Sequence, residues 1–158
     1  MTPTTGGPTA AARFAATYAL LRAAADVGDH WIQTHTQALT KGQHDHTEGQ
    51  SSAAGRRACA AHVATYTATQ AVALIGGSAL LGMRLRPGRV AAALALSAAT
   101  HYVADRRRPV QRLAEAVGKG DFYRLADHGM NGAYQLDQAL HHGVEAVAAL
   151  IAATGTTR

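Results

Sequence analysis

Cysteine is nearly missing from this chain of 158 residues: Cys59 stands alone, so neither an intrachain disulfide framework nor a multi-cysteine zinc cluster can form. Aromatic residues are scarce at 5%, which leaves little for stacking on bases. Prolines number four, and β-branched runs are short, so sheet has little support. Lysine is reduced to Lys41 and Lys119, while arginine supplies thirteen of the fifteen cations. The net charge of +5 therefore sits in an Ala-, Gly-, Arg- and Thr-rich composition, and nucleic acid is a disfavoured partner. A secretory signal is missing too: residues 1–8 read as a disordered leader and 155–158 as a tail.

What the chain does have is alanine and histidine. Alanine dominates an apolar share of 47%, which favours helix in a single domain over residues 9–154. The fold class expected is all-α, a helical bundle of about four long helices with short connecting helices. Helical spacing of Phe14, Tyr18, Leu21, Ala25 and Ile32 predicts a first helix over 9–38, with Gly28 marking a kink or close packing. The polar stretch 41–52, with Gly42 and Gly49, reads as a mobile loop, and its His44-Asp45-His46 as solvated. Further helices are expected over 53–81, 90–107, 110–117 and 133–153, with one turn near 122–126. Val63–Met83 contains no Asp, Glu, Lys or Arg and is long enough to span a bilayer. Its Thr65, Thr67, Thr69, Gln70 and Ser78 argue instead for a buried helix. The expected setting is cytoplasmic, with peripheral membrane association kept open.

Nine histidines stand against ten carboxylates, and they fall in register. Asp26, Asp29, His30 and Gln33 share a helical face, as do Cys59, His62 and Tyr66. The third long helix offers Ser97, His101 and Asp105, and the last Tyr134, Asp137, Gln138, His141 and Glu145. His101 follows an Ala/Leu run that forces burial. A buried unpaired Asp105 or His101 would cost several kcal/mol or roughly 3–5 pKa units. No Arg or Lys is apparent in these stripes before Arg106, so a cation must come from elsewhere. Asp29, His62, His101, Asp105, Asp137 and His141 are the candidate ligands of one or two divalent ions: Zn, Mn, Fe or Ni. Inward Asp and His on facing helices are how bundles build such centres.

Taken in order, these motifs resemble a bacterial family, domain of unknown function 3307. The resemblance rests on Asp29-His30-Trp31-Ile32-Gln33, His62, His101-Tyr102-Val103-Ala104-Asp105 and Asp137-Gln138-Ala139-Leu140-His141. Many relatives carry a His four residues before the first Asp, where this chain has Ala25. The resemblance implies a helical, often membrane-associated protein, similar in style to membrane-bound metal-dependent hydrolases. The function expected is thus a metal-dependent hydrolase of a small or anionic substrate, a phosphoester or related ester. In it His30 or Asp26 serves as general base, while Gln33, Gln138 and Arg106 orient ligands or substrate. The alternative is a non-catalytic metal-binding or structural module acting through a protein or nucleic-acid partner.

Overall fold

A computed structural model describes residues 9–154; the expected leader 1–8 and tail 155–158 lie outside the described residues. The described chain is all helix and turn, without a strand. Helix α1 (Ala10–Val27) starts where the Thr9 side chain accepts from Ala12 N at 3.2 Å. A π-helical turn, Gly28–Ile32, then leads to a short α2 (His35–Thr40). Helix α3 (Ser52–Leu80) and α4 (Pro87–Asp105) form a hairpin, and α4 opens on Pro87 at its first turn. Short helices α5 (Arg108–Ala116) and α6 (Gly120–Arg124) precede α7 (Gly132–Ala153).

The four long helices close into a ring, α1 against α3 and α7, and α4 against α3 and α7. Neighbours run antiparallel. Gly28 of α1's end abuts Tyr66 while Leu20 abuts Gly77, and Arg13 Nε donates to Ala153 O at 3.2 Å. This arrangement sorts the interior by polarity. At one end Leu21, Leu74, Ala93, Ala148, Ala149 and Ala152 form a dry core of small side chains that lets the helices approach closely. Toward the other end the inward residues are His62, Tyr66, Gln70, Ser97, His101, Asp105, His141 and Glu145, all buried.

Two expectations need correction. The first helix does not run unbroken over 9–38: it opens into the π turn at Gly28, and Thr34 starts a new helix. There the Thr34 hydroxyl accepts from Gln37 N, and the Gln37 side chain accepts from Thr34 N at 2.8 Å, a capping box. The 41–52 stretch is a loop as expected, and it is bonded to the end of α4. Arg106 donates to Lys41 O and Gln43 O, His44 Nε2 meets Arg106 O at 2.9 Å, and Asp45 pairs with Ser52. Finally, α3 is buried on one face only. Cys59, His62, Val63, Tyr66, Gln70 and Leu74 point inward, while Val72, Ile75 and Leu80 lie exposed. Among the described residues α3 alone is long and apolar enough to cross a membrane.

Candidate metal centre

Three helical segments deliver four polar atoms to one point. The extra backbone of the π turn carries Asp29 to the mouth of the bundle, a frequent use of such turns. His62 enters from α3, and His101 and Asp105, one turn apart, from α4. His62 Nε2 lies 3.0 Å from His101 Nε2, 3.1 Å from Asp29 Oδ1 and 3.3 Å from Asp105 Oδ2. His101 Nε2 lies 3.3 Å from Asp29 Oδ1 and 3.1 Å from Asp105 Oδ2. These five contacts make two triangles that share the His62–His101 edge, and among the described residues the groups whose ligand atoms all lie within 4.8 Å of one another are Asp29–His62–His101 and His101–Asp105–His141. Three donors about 3.2 Å apart can all bond one ion at about 2.0–2.2 Å, the length zinc makes to imidazole nitrogen or carboxylate oxygen, with its fourth position left open.

Hydrogen bonds alone leave this cluster short. Asp105 Oδ2 is buried and finds no donor with proper geometry, although two imidazole nitrogens approach it. His62 Nδ1 and His101 Nδ1 are also buried without partners. The rings are therefore held by packing: His101 lies against Tyr66 at 3.8 Å and against His141 at 4.3 Å between centroids. The electrostatics are those of a shared cation. Burial works against charge on His101, but Asp105 and Asp29 outweigh it and lift its pKa to about 9. Burial likewise pushes Asp29 and Asp105 up, and the adjoining imidazoles, with Lys41, outweigh it, holding both carboxyls below their ordinary range. These opposite shifts describe one interaction seen from its two sides.

His141 forms the second trio with His101 and Asp105. A ligand atom of His141 lies within 4.8 Å of those of His101 and Asp105, its Nε2 is buried and unpartnered, and Asp137 Oδ2 is 3.4 Å from that nitrogen. Of the six predicted ligands, five thus fall into two trios that share His101, and Asp137 stands at their edge. Gln33 and Gln138 line the cavity in front, and Gln33 Nε2 is buried without an acceptor. His30 lines it too, its Nε2 at 2.9 Å from Tyr134 OH and its Nδ1 at 3.0 Å from Asp26 O. Two expected roles fail on position. The Asp26 carboxylate is exposed and paired with Arg22, so it does not join the site. The Arg106 guanidinium is spent on the carbonyls of the 41–43 loop, which removes it as a receiver of substrate.

Two cations were missing from the sequence reading. Lys41, at the end of α2, sends Nζ to Asp105 Oδ1 at 2.8 Å. Arg22, one helical turn before Asp26, reaches Glu145 Oε2 at 2.7 Å. Glu145 in turn accepts from Tyr66 OH at 3.0 Å, and Gln70 links Tyr66 to Ser97 through bonds of 3.1 and 2.8 Å. This buried polar layer sits under the histidines, and burial raises the Glu145 pKa despite Arg22 and Tyr66. Arg22 was legible, since it precedes Asp26 and Asp29 by four and seven residues on one face. Lys41 was not, because only the fold of the loop brings it back.

The cavity in front of the centre has a volume of about 450 Å³. Asp29, Asp105, Lys41, Arg107, Tyr134 and Asp137 contribute to its wall. Comparison with protein-family models, with curated proteins and with solved structures found no match to this chain.

Proposed function

We propose that the protein is a metal-dependent hydrolase of a phosphoester or related ester, with a divalent ion, zinc first, held by three of the four side chains Asp29, His62, His101 and Asp105, which leaves a position for water. One observation carries this reading: Asp29 and Asp105, two members of the cluster, also line a cavity of about 450 Å³, so an ion held there would face a substrate-sized space. Imidazole and carboxylate donors at this spacing suit zinc, with manganese, iron and nickel as the alternatives. The chemistry such an ion supplies is acidification of a water molecule and polarisation of the ester oxygen. The chain's own part is proton handling. His141, flanked by Asp137, takes the proton from the attacking water as its oxygen bonds to the ester centre. The bond to the leaving oxygen breaks, and the same imidazole returns the proton to it. His30, already bonded to Tyr134, orients substrate in this scheme.

A second reading is favoured by the burial of His62, His101 and Asp105. If all four side chains bound one ion, no position would stay open, as in structural sites, and the protein would be a metal-binding module serving a protein or nucleic-acid partner. Elemental analysis of the purified chain, followed by hydrolysis assays on p-nitrophenyl esters with and without chelator, separates the two. Stoichiometric zinc with chelator-sensitive turnover supports the hydrolase. Stoichiometric zinc without turnover supports the module, and metal-free protein overturns both. The ordered motifs support membership of domain of unknown function 3307. A cytoplasmic setting is part of the proposal, and the apolar outer face of α3 supports peripheral membrane association.

A further inference from the structure

We propose that Arg107, with Lys41 and Gln33, forms an anion subsite that holds the phosphate group of the substrate in front of the Asp29–His62–His101–Asp105 centre. The substrate is then a phosphate ester and not a neutral carboxylic ester. This rests on the metal-dependent reading above and adds a site to it.

Arg107 is one of two non-glycine residues with positive φ among the described residues, at 61°. That conformation is costly for a side chain with a Cβ and persists only where surrounding structure enforces it. Here it ends α4 two residues after Asp105 and delivers the Arg107 side chain to the cavity wall, whereas neighbouring Arg106 is buried under the loop. Among the described residues the Arg107 guanidinium makes one hydrogen bond of its own, to Ala38 O at 3.3 Å, out of five N–H donors. Lys41 lies on the same wall, and its ammonium already neutralises the outer oxygen of Asp105. Gln33 completes the set, since its buried Nε2 has no acceptor and its side chain lines the same cavity. A guanidinium, an ammonium and an unsatisfied amide around one space are the donors a phosphate group needs.

The charge balance makes the subsite depend on the metal. Three carboxylates, Asp29, Asp105 and Asp137, against Lys41 and Arg107 leave the lining with one net negative charge. A divalent ion reverses that to one net positive charge, so phosphate enters only the loaded protein. Arg107 also packs over Gly42, where an added Cβ would sit 2.6 Å from Arg107 Cδ. A purely structural role as a clamp on the loop is the competing explanation. Arg107→Met separates the two, because it keeps the stem over Gly42 and removes the charge.

The test is calorimetric titration of inorganic phosphate into the full chain after its zinc content is measured. The expected result is one phosphate bound per zinc-loaded wild-type chain and none after chelation. Arg107→Met at equal zinc content should bind at least tenfold more weakly. Its preference for p-nitrophenyl phosphate over p-nitrophenyl acetate should fall by a similar factor, through KM. Wild-type affinity in zinc-loaded Arg107→Met, or no phosphate uptake by the zinc-loaded wild type, overturns the subsite and leaves the metal centre standing. Failure of the wild type to load any metal overturns the centre, and the subsite falls with it.

Discussion

At the scale of single residues, Asp105 is where the competing accounts of the polar core part company. Its Oδ1 meets Lys41 and its Oδ2 meets two imidazoles without a proper hydrogen bond. Asp105→Asn keeps the shape and removes the anion. With an ion at the centre, zinc content should collapse while the fold survives with a loss of about 1–3 kcal/mol. Without one, the variant should melt early and chelator should leave the wild-type melting curve unmoved. The metal-free protein also has a pH signature. The His101 pKa is raised to about 9 from an ordinary value near 6.5, so its contribution to stability is complete below about 6.5 and is lost as pH rises through about 9. Asp29 and Asp105 shift the other way, and their contribution is present above about 4 and fades in acid. Chelated protein should accordingly be most stable near pH 4–6.5 and should weaken toward pH 9, measured by urea melts; a flat profile over pH 6.5–9 would refute the shared-cation picture. The buried carboxylates and imidazoles were legible because each sat in an apolar helical register. Lys41 was not, since no spacing along the chain connects a loop lysine with Asp105.

At the scale of elements, periodicity placed α3, α5, α6 and α7 within two residues of their observed ends and drew the first helix too long, although Gly28 stood out as a point of kink or close packing. Close packing is what the structure has there: Tyr66 Cδ2 would lie 3.0 Å from an added Cβ at Gly28. That is tertiary information. The glycines of α7 show how far context decides the sign of one substitution. Gly143 is exposed in mid-helix with open space around its Cβ position, so Gly143→Ala should stabilise by about 1 kcal/mol through helix propensity alone. Gly132, at the start of the same helix, has the backbone carbonyl of Phe122 where a Cβ would go. Gly132→Ala should destabilise by about 3 kcal/mol, since α6 has to move as a unit. Equilibrium unfolding of the two variants checks both, and equal signs would mean that α6 does not pack against α7 as described.

At the scale of the whole molecule, an all-α bundle of about four long helices was legible in alanine content, punctuation and segment length. The division of its interior into an apolar and a polar end was not, because both ends share the same helical repeats. That division matters for stability. The apolar end has Leu21, Leu74 and a set of buried alanines to hold it, whereas the polar end buries charge and depends on pairing. An ion held within the Asp29, His62, His101 and Asp105 cluster would tie the π turn, α3 and α4 together at the weak end. Metal that binds the folded chain alone then stabilises by about 1.4 kcal/mol for each tenfold rise in free metal above Kd. The melting temperature should climb steadily with zinc concentration instead of stepping once. Amide exchange should locate the gain. Removing zinc should speed exchange in Gly28–Thr40, which rests on the polar end, and leave the amides around Leu74, Ala93 and Ala148 slow. Uniform acceleration across both ends would mean that the bundle responds as one unit, and unchanged exchange throughout would mean that the polar end holds itself together through Lys41 and His101 without any ion.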